Sequence, residues 1–505
     1  MAGVEARRRA VEAAISRKAR TFTPPSTADG RPIPLSEQFG WAAFTWEEMQ
    51  ERLPPEVMTH LQAVRSGKET LLTEACEIIA ASVYRWASER GAGHFCRWTR
   101  PKDATPPETH QAFLRPGKNG ALKPGFSGAQ LLGEDTARWD PRSPLFLQQA
   151  PTGATLCVPC ILPEGKGLRA PLRKSTDELR AILRRDDAHP VATLQTPFFL
   201  IDEAYASLRP DLLRLGRALY GDAPLTRQHI ERIPPRALAL LHELTAELIQ
   251  LGVPVSGHAA TNTPSQFVLT TSPTNADHAG DHDQTIQEAL RRIAPLHHLR
   301  VLTHPTPFQG YSRQKRTLRW WIQSGSGSNL IASSRGLQRR VRAAAEAAHA
   351  QLDGSQIVLS CDADQSITTT LTAFQRELTQ RLTSKGDGSD LLASLPRSAP
   401  RAARGVRFHA TITPGSQEAA GSTSTEAAVL LELTQRMLLP TARVEPFFPA
   451  ALLQTLEDRH TALAKDLGSR AAFEQLRETF VAAEEEIADE RWPLPRAAEI
   501  LLQGV

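Results

Sequence analysis

Residues 191–202 read VATLQTPFFLID. β-Branched and aromatic side chains dominate the run, so it reads as a strand. Before it, 170–186 has the pattern of a basic helix; after it, 234–251 is an amphipathic helix ended by Gly252 and Pro254. Further strands are expected at 265–271, 301–304, 357–361 and 406–413, and further helices at 283–294, 336–352, 423–438 and 447–488. Upstream, 46–65 and 69–90 read as helices; in the second, Leu72, Ala75, Cys76, Ile79, Ala80, Val83 and Trp86 recur at helical spacing. Helices and strands mix without strict βαβ alternation, which argues for an α+β fold.

The 505 residues exceed what one core usually holds, so two or more domains are expected. A basic tail and Pro-rich linker fill 1–35, and 384–405 and 414–424 are loops rich in Gly, Ser and Pro. Hydrophobic residues make up 41% and charged residues 23%, as in a soluble globular protein. A net charge of +4 over this length is too small to mark nucleic acid as a partner. The five cysteines are odd in number and scattered, so no disulfide framework is expected. Cys157-Val-Pro-Cys160 is a lone CxxC; with no second pair it reads as buried thiols in a strand rather than a zinc or redox site. No run of eighteen apolar residues exists, so no membrane-spanning helix is expected. The basic N-terminus lacks the apolar stretch of a signal peptide, and Glu5 and Glu12 count against a transit peptide, so a cytoplasmic protein is the expectation.

Several short stretches follow one another in a telling order. They are WASERGAGHFCRWTRP (86–101), WDPRSPLF (139–146), GATLCVPCIL (153–162), FFLID (198–202), DHDQ (281–284), PFQG (307–310), GSQEAAGS (415–422) and DERWPLPRAAEILL (489–502). In this collinear series the chain resembles type III glutamine synthetase from end to end. The resemblance implies a small β-grasp-like domain at 36–150. It implies a large domain at 151–505 with a curved antiparallel sheet flanked by helices, and a shortened helical C-terminal part at about 423–490. It also implies stacked rings of subunits with active sites between neighbours.

Glutamine synthetases phosphorylate the γ-carboxylate of glutamate with ATP, and ammonia then displaces phosphate. Divalent metals held by glutamates and a histidine neutralise that phosphoryl transfer. The resemblance carries the metal-ligand positions onto residues that cannot do this. The family's two glutamates before FFLID become Gln195 and Pro197. In HAATNTPSQF (258–267) the two acids become Thr261 and Val268, and the histidine position is Ala259. His258 lies one residue off and is expected on the opposite face of its strand. A metal-binding histidine becomes Thr317, and a last metal glutamate becomes His409. In the turn before Thr317, Arg313 and Lys315 stand where the family has glycine. Asp364 falls near the place of the acid that handles ammonium, one methylene shorter.

The expectation is therefore a glutamine-synthetase-like protein with no catalytic residues, no metal and no cofactor. It would act by oligomeric assembly, as a homo-oligomer in stacked rings or in a mixed ring with an active synthetase, or by regulation. Three other readings stay open. His258, His278, Asp281, His282 and Asp283 could form a rebuilt metal site, unless Asp281 merely caps a helix. An ATP-dependent carboxylate–amine ligase with Mg and ATP could hold phosphates on Arg313, Lys315, Arg316 and Arg319. Nucleic acid could meet the Trp pair of RQKRTLRWW (313–321), although Trp320 occupies a family position that suits core packing.

Overall fold

The strand read at 191–202 is the hub of the larger of two main sheets. The computed structural model describes residues 2–99, 110–117, 120–133, 137–150, 153–162, 168–183, 188–219, 233–308, 315–348, 350–353, 356–361, 367–383 and 423–487. The strand expected at 406–413, His409, Arg313, Asp364 and the segment 489–502 lie outside them.

The small sheet contains β1 (Ala43–Phe44), β2 (Ala92–Trp98), β3 (Gln111–Ala112), β4 (Leu145–Ala150) and β5 (Gly153–Ile161), in the order β1-β4-β5-β2-β3. Only β2 and β5 run parallel; the other neighbours are antiparallel. A helix, α1 (Thr73–Glu89), covers it, burying Ile79, Val83 and Trp86 against Phe44 and Phe95. This is a mixed sheet crossed by a helix. It runs to Ile161, past the boundary expected at 150. Cys157 and Cys160 are buried in β5, and the Sγ of Cys157 lies 3.5 Å from that of Cys96 on β2.

In the larger sheet β6 (His189–Asp202) is central. On one side of it lie β8 (Gln266–Thr271) and then β7 (Val255–Ala260). On the other lie β11 (Arg316–Gln323), β13 (Gln356–Cys361) and β12 (Gln351–Asp353). Two short strands, β9 (Thr274–Asn275) and β10 (Leu299–Leu302), pair with the two ends of β6, and every pairing is antiparallel. Helices α2 (Arg169–Leu183), α3 (Pro235–Gln250), α4 (Ala279–Ile293), α5 (Arg335–Ala347) and α6 (Ile367–Thr383) supply the rest of one core. That core takes Leu194 and Phe198 of β6, Phe267 and Leu269 of β8, and Leu318 and Trp320 of β11. Trp320 is fully buried, its ring 4.9 Å from Phe374 of α6. A third core joins the helices at Thr423–Leu433, Ala450–Lys465 and Arg470–Glu485. No helix among the described residues is long and apolar enough to cross a membrane.

Several boundaries move for identifiable reasons. The helix expected at 46–65 is two, Trp46–Arg52 and Pro55–Arg65, because Pro54 forces Leu53 into an extended conformation. The helix expected at 336–352 ends at Ala347, and 351–353 turns back as a strand on β13, a pairing that overrides the local Ala-rich pattern. Of RQKRTLRWW, read as a basic segment, Arg316 to Trp321 lie in an inner strand. The helix expected at 447–488 breaks at Leu467 and Gly468. Helix α4 begins at Ala279, four residues earlier than expected, so Asp281 lies inside its first turn and is not its cap.

Candidate functional site

Two places collect the residues singled out from the sequence. The first is the face of the larger sheet turned away from the helices. Side chains directly opposite one another on antiparallel strands share a face. Val268 stands opposite both Pro197 and Ala259, and Gln195 opposite both Thr270 and Thr317. Alternation then puts Thr193, Gln195 and Pro197 together with Ala259, Val268, Thr270, Thr317 and Arg319 on one half-open face. Five positions matched to metal ligands, drawn from four strands, thus converge on one patch. Across these strands the patch carries no carboxylate. The hydroxyl of Thr317 donates to the Gln195 side-chain oxygen at 3.2 Å, which engages the one side-chain carbonyl oxygen of the patch. Thr261 is spent on the β7–β8 turn: its hydroxyl bonds Gln266 at 2.7 Å and accepts from the Thr263 amide at 3.1 Å.

These positions do not fit a divalent metal. A hard cation wants several oxygen ligands, preferably charged, and Pro197, Val268 and Ala259 offer none. His258 is on the other face, opposite Leu269, with its Nδ1 3.3 Å from the Thr245 hydroxyl and its ring 5.8 Å from that of His242. Burial, then His242, holds its pKa below the usual imidazole range.

The second place is a cavity of about 460 Å³ between the two sheets' domains. The small domain contributes Trp98, Ser143, Phe146 and Pro159; the large one contributes His189, Asn275 and the first turns of α4, with His278, Asp281, His282 and Thr285. Beside it a charge network joins the domains. Asp281 accepts from Arg169 at 2.8 Å and from the Ser143 hydroxyl at 2.7 Å, with Arg173 at 3.5 Å. Arg173 donates to Asp140 at 2.6 Å and to Ser143 at 2.7 Å. Burial by itself would raise the Asp281 carboxyl, but Arg169 and Arg173 outweigh it and hold it at about 2. Asp283 is tied to Arg316 at 2.5 Å and to Gln287 at 2.9 Å; burial nevertheless pushes its carboxyl up.

His282 stacks on His278 with centroids 6.1 Å apart. Burial, then His278, lowers its pKa to about 4. The five residues offered as a rebuilt metal site are therefore not one site. His258 packs on α3, Asp283 faces β11, and only His278, Asp281 and His282 share the cavity wall, where Asp281 is already saturated. Among the described residues no three His, Cys, Asp or Glu side chains gather as metal ligands would. The basic segment is also accounted for: Arg316 is paired, Trp320 is in the core and Trp321 is 8% exposed, so neither indole offers a stacking face. The sequence reading missed the cavity itself, along with Ser143, Arg169 and Arg173. The WDPRSPLF stretch was its one signal.

An antiparallel sheet backed by helices, joined to a small mixed-sheet domain, defines a glutamine-synthetase-like α+β protein. Residues 35–138 match the family described as glutamine synthetase type III N terminal. The chain is 27% identical over 335 residues to a glutamine synthetase of Bacteroides fragilis (strain YCH46), covering 59% of this chain and 45% of that one. It is 27% identical over 337 residues to a type-3 glutamine synthetase of Dictyostelium discoideum, covering 59% and 46%. The chain is thus similar to type III glutamine synthetases, and it spans about half the length of these relatives. A solved structure of GmaS without ligand aligns over 81% of this chain and 97% of its own at 14% identity, with a TM-score of 0.38.

Proposed function

We propose that this chain is a glutamine-synthetase-like protein without ligase activity that acts through assembly or regulation. One observation carries the reading: the sheet face onto which the family's metal positions map holds Gln195, Pro197, Val268 and Thr317, with no carboxylate on that face of the four strands that form it. Metal clamping supplies several kcal/mol to a phosphoryl-transfer transition state, and packing cannot replace it. Arg319 alone could steady a phosphate there but cannot organise a metal–nucleotide complex. Assembly with another subunit fits Leu35, Phe39 and Trp41, which the small domain leaves 44%, 53% and 49% exposed.

The test is γ-glutamyl hydroxamate formation by the purified protein from glutamate, hydroxylamine and Mg-ATP. The expected result is none above background. Measurable turnover would overturn the reading in favour of a ligase with a rebuilt site. Native mass spectrometry at micromolar concentration, alone and with an active type III synthetase, tests assembly; a monomer in both mixtures would leave regulation by ligand as the role.

A further inference from the structure

The geometry points to the cavity between the small sheet and helix α4 as a binding site for a small carboxylate with an apolar body. This deepens the regulatory reading above and rests on it. The volume of about 460 Å³ falls within the range of small-molecule sites. Its walls divide by chemistry. Trp98, Phe146 and Pro159 give one side an apolar surface, whereas His189, His278 and His282 put three imidazoles on the other.

The sign of the ligand's charge follows from what is already satisfied. Asp281, the one carboxylate on the wall, is consumed by Arg169, Arg173 and Ser143, so a cationic ligand would find no counter-charge. The Nδ1 of His282 is buried without a hydrogen-bond partner. The N-terminal turn of α4, a fifteen-residue helix, adds a dipole that favours negative charge. A carboxylate would supply an acceptor for the Nδ1–H of His282, and its hydrocarbon part would cover Trp98 and Phe146. Since the two walls come from different domains, such a ligand fastens one domain to the other, which is how it would regulate assembly.

The experiment is thermal unfolding of the full chain with benzoate, 3-phenylpropanoate and indole-3-acetate, each beside its matched primary amide. At least one acid is expected to raise the midpoint by several degrees, saturably, and its amide by less than half as much. Asn275→Trp, which plugs the rim, should abolish the shift, and His278→Phe should reduce it. The ligand-free midpoint of each variant reports whether it folds. No shift with any acid, an equal shift with the amide, or a shift that survives Asn275→Trp in a folded protein overturns the proposal. Hydroxamate formation is read separately, so failure of this site and failure of the non-catalytic reading give different results.

Discussion

His282 should make this protein acid-sensitive over a defined window. Its ring lies between α4 and the cavity, facing His278, Asp281 and Asp277, and burial holds its pKa near 4 against an ordinary 6.5. Between those values the unfolded chain binds a proton at this site that the folded chain refuses, so stability falls as pH falls from 6.5 to about 4. At about 1.36 kcal/mol per pH unit the full effect approaches ~3 kcal/mol. His282 is only half-buried beside the cavity, so about 2 kcal/mol is the working figure. The assay is urea unfolding of wild type and His282→Gln, followed by tryptophan fluorescence from roughly pH 7.5 down to roughly pH 4.5. The two proteins should lie close together at the upper end. Wild type should lose about 2 kcal/mol more than the variant by the lower end. A difference that stays constant across the range would refute the reasoning, because a merely packed ring has no pH dependence.

Other substitutions probe the frame around the site. Asp281→Ala removes one of the two carboxylates that Arg169 and Arg173 share at a domain junction, Asp140 remaining, and should cost about 1–3 kcal/mol, read as a lower thermal midpoint; a change within ±0.5 kcal/mol would mean the network contributes nothing. Gly128→Ala places a Cβ 2.7 Å from the Glu77 amide nitrogen and 2.9 Å from the Cys76 carbonyl carbon, backbone that cannot yield, at about 1–3 kcal/mol. Trp320→Ala opens the larger core against Phe374 and should cost about 3–5 kcal/mol in the same assay. Restoring carboxylates with Gln195→Glu, Pro197→Glu and Val268→Glu together should create a manganese-dependent rise in thermal midpoint that wild type lacks; no rise in a folded triple variant would show that these positions do not converge as the strand register implies.

The sequence by itself determined the elements with strong local signals. The run 191–202 declared the hub strand, and helical spacing over 234–251 declared α3, because a period of apolar residues is a property of neighbours in the chain. Collinear short stretches carried the likeness to type III glutamine synthetases, and single-residue identities gave the neutral positions Gln195, Pro197, Val268 and Thr317. Only the tertiary structure decided what those residues share. Strand register, set by pairings between segments as distant as 195 and 317, turned them into one patch and sent His258 to the opposite face. Asp281 read as a metal ligand or a helix cap, but its partners are Ser143, 138 residues away, and Arg169, 112 residues away. The same distance hid the cavity: its apolar wall and its imidazoles come from two domains, and no local pattern records how one domain rests on another. Local sequence encodes what a segment prefers; where its side chains meet others is set by the burial of surfaces far apart along the chain.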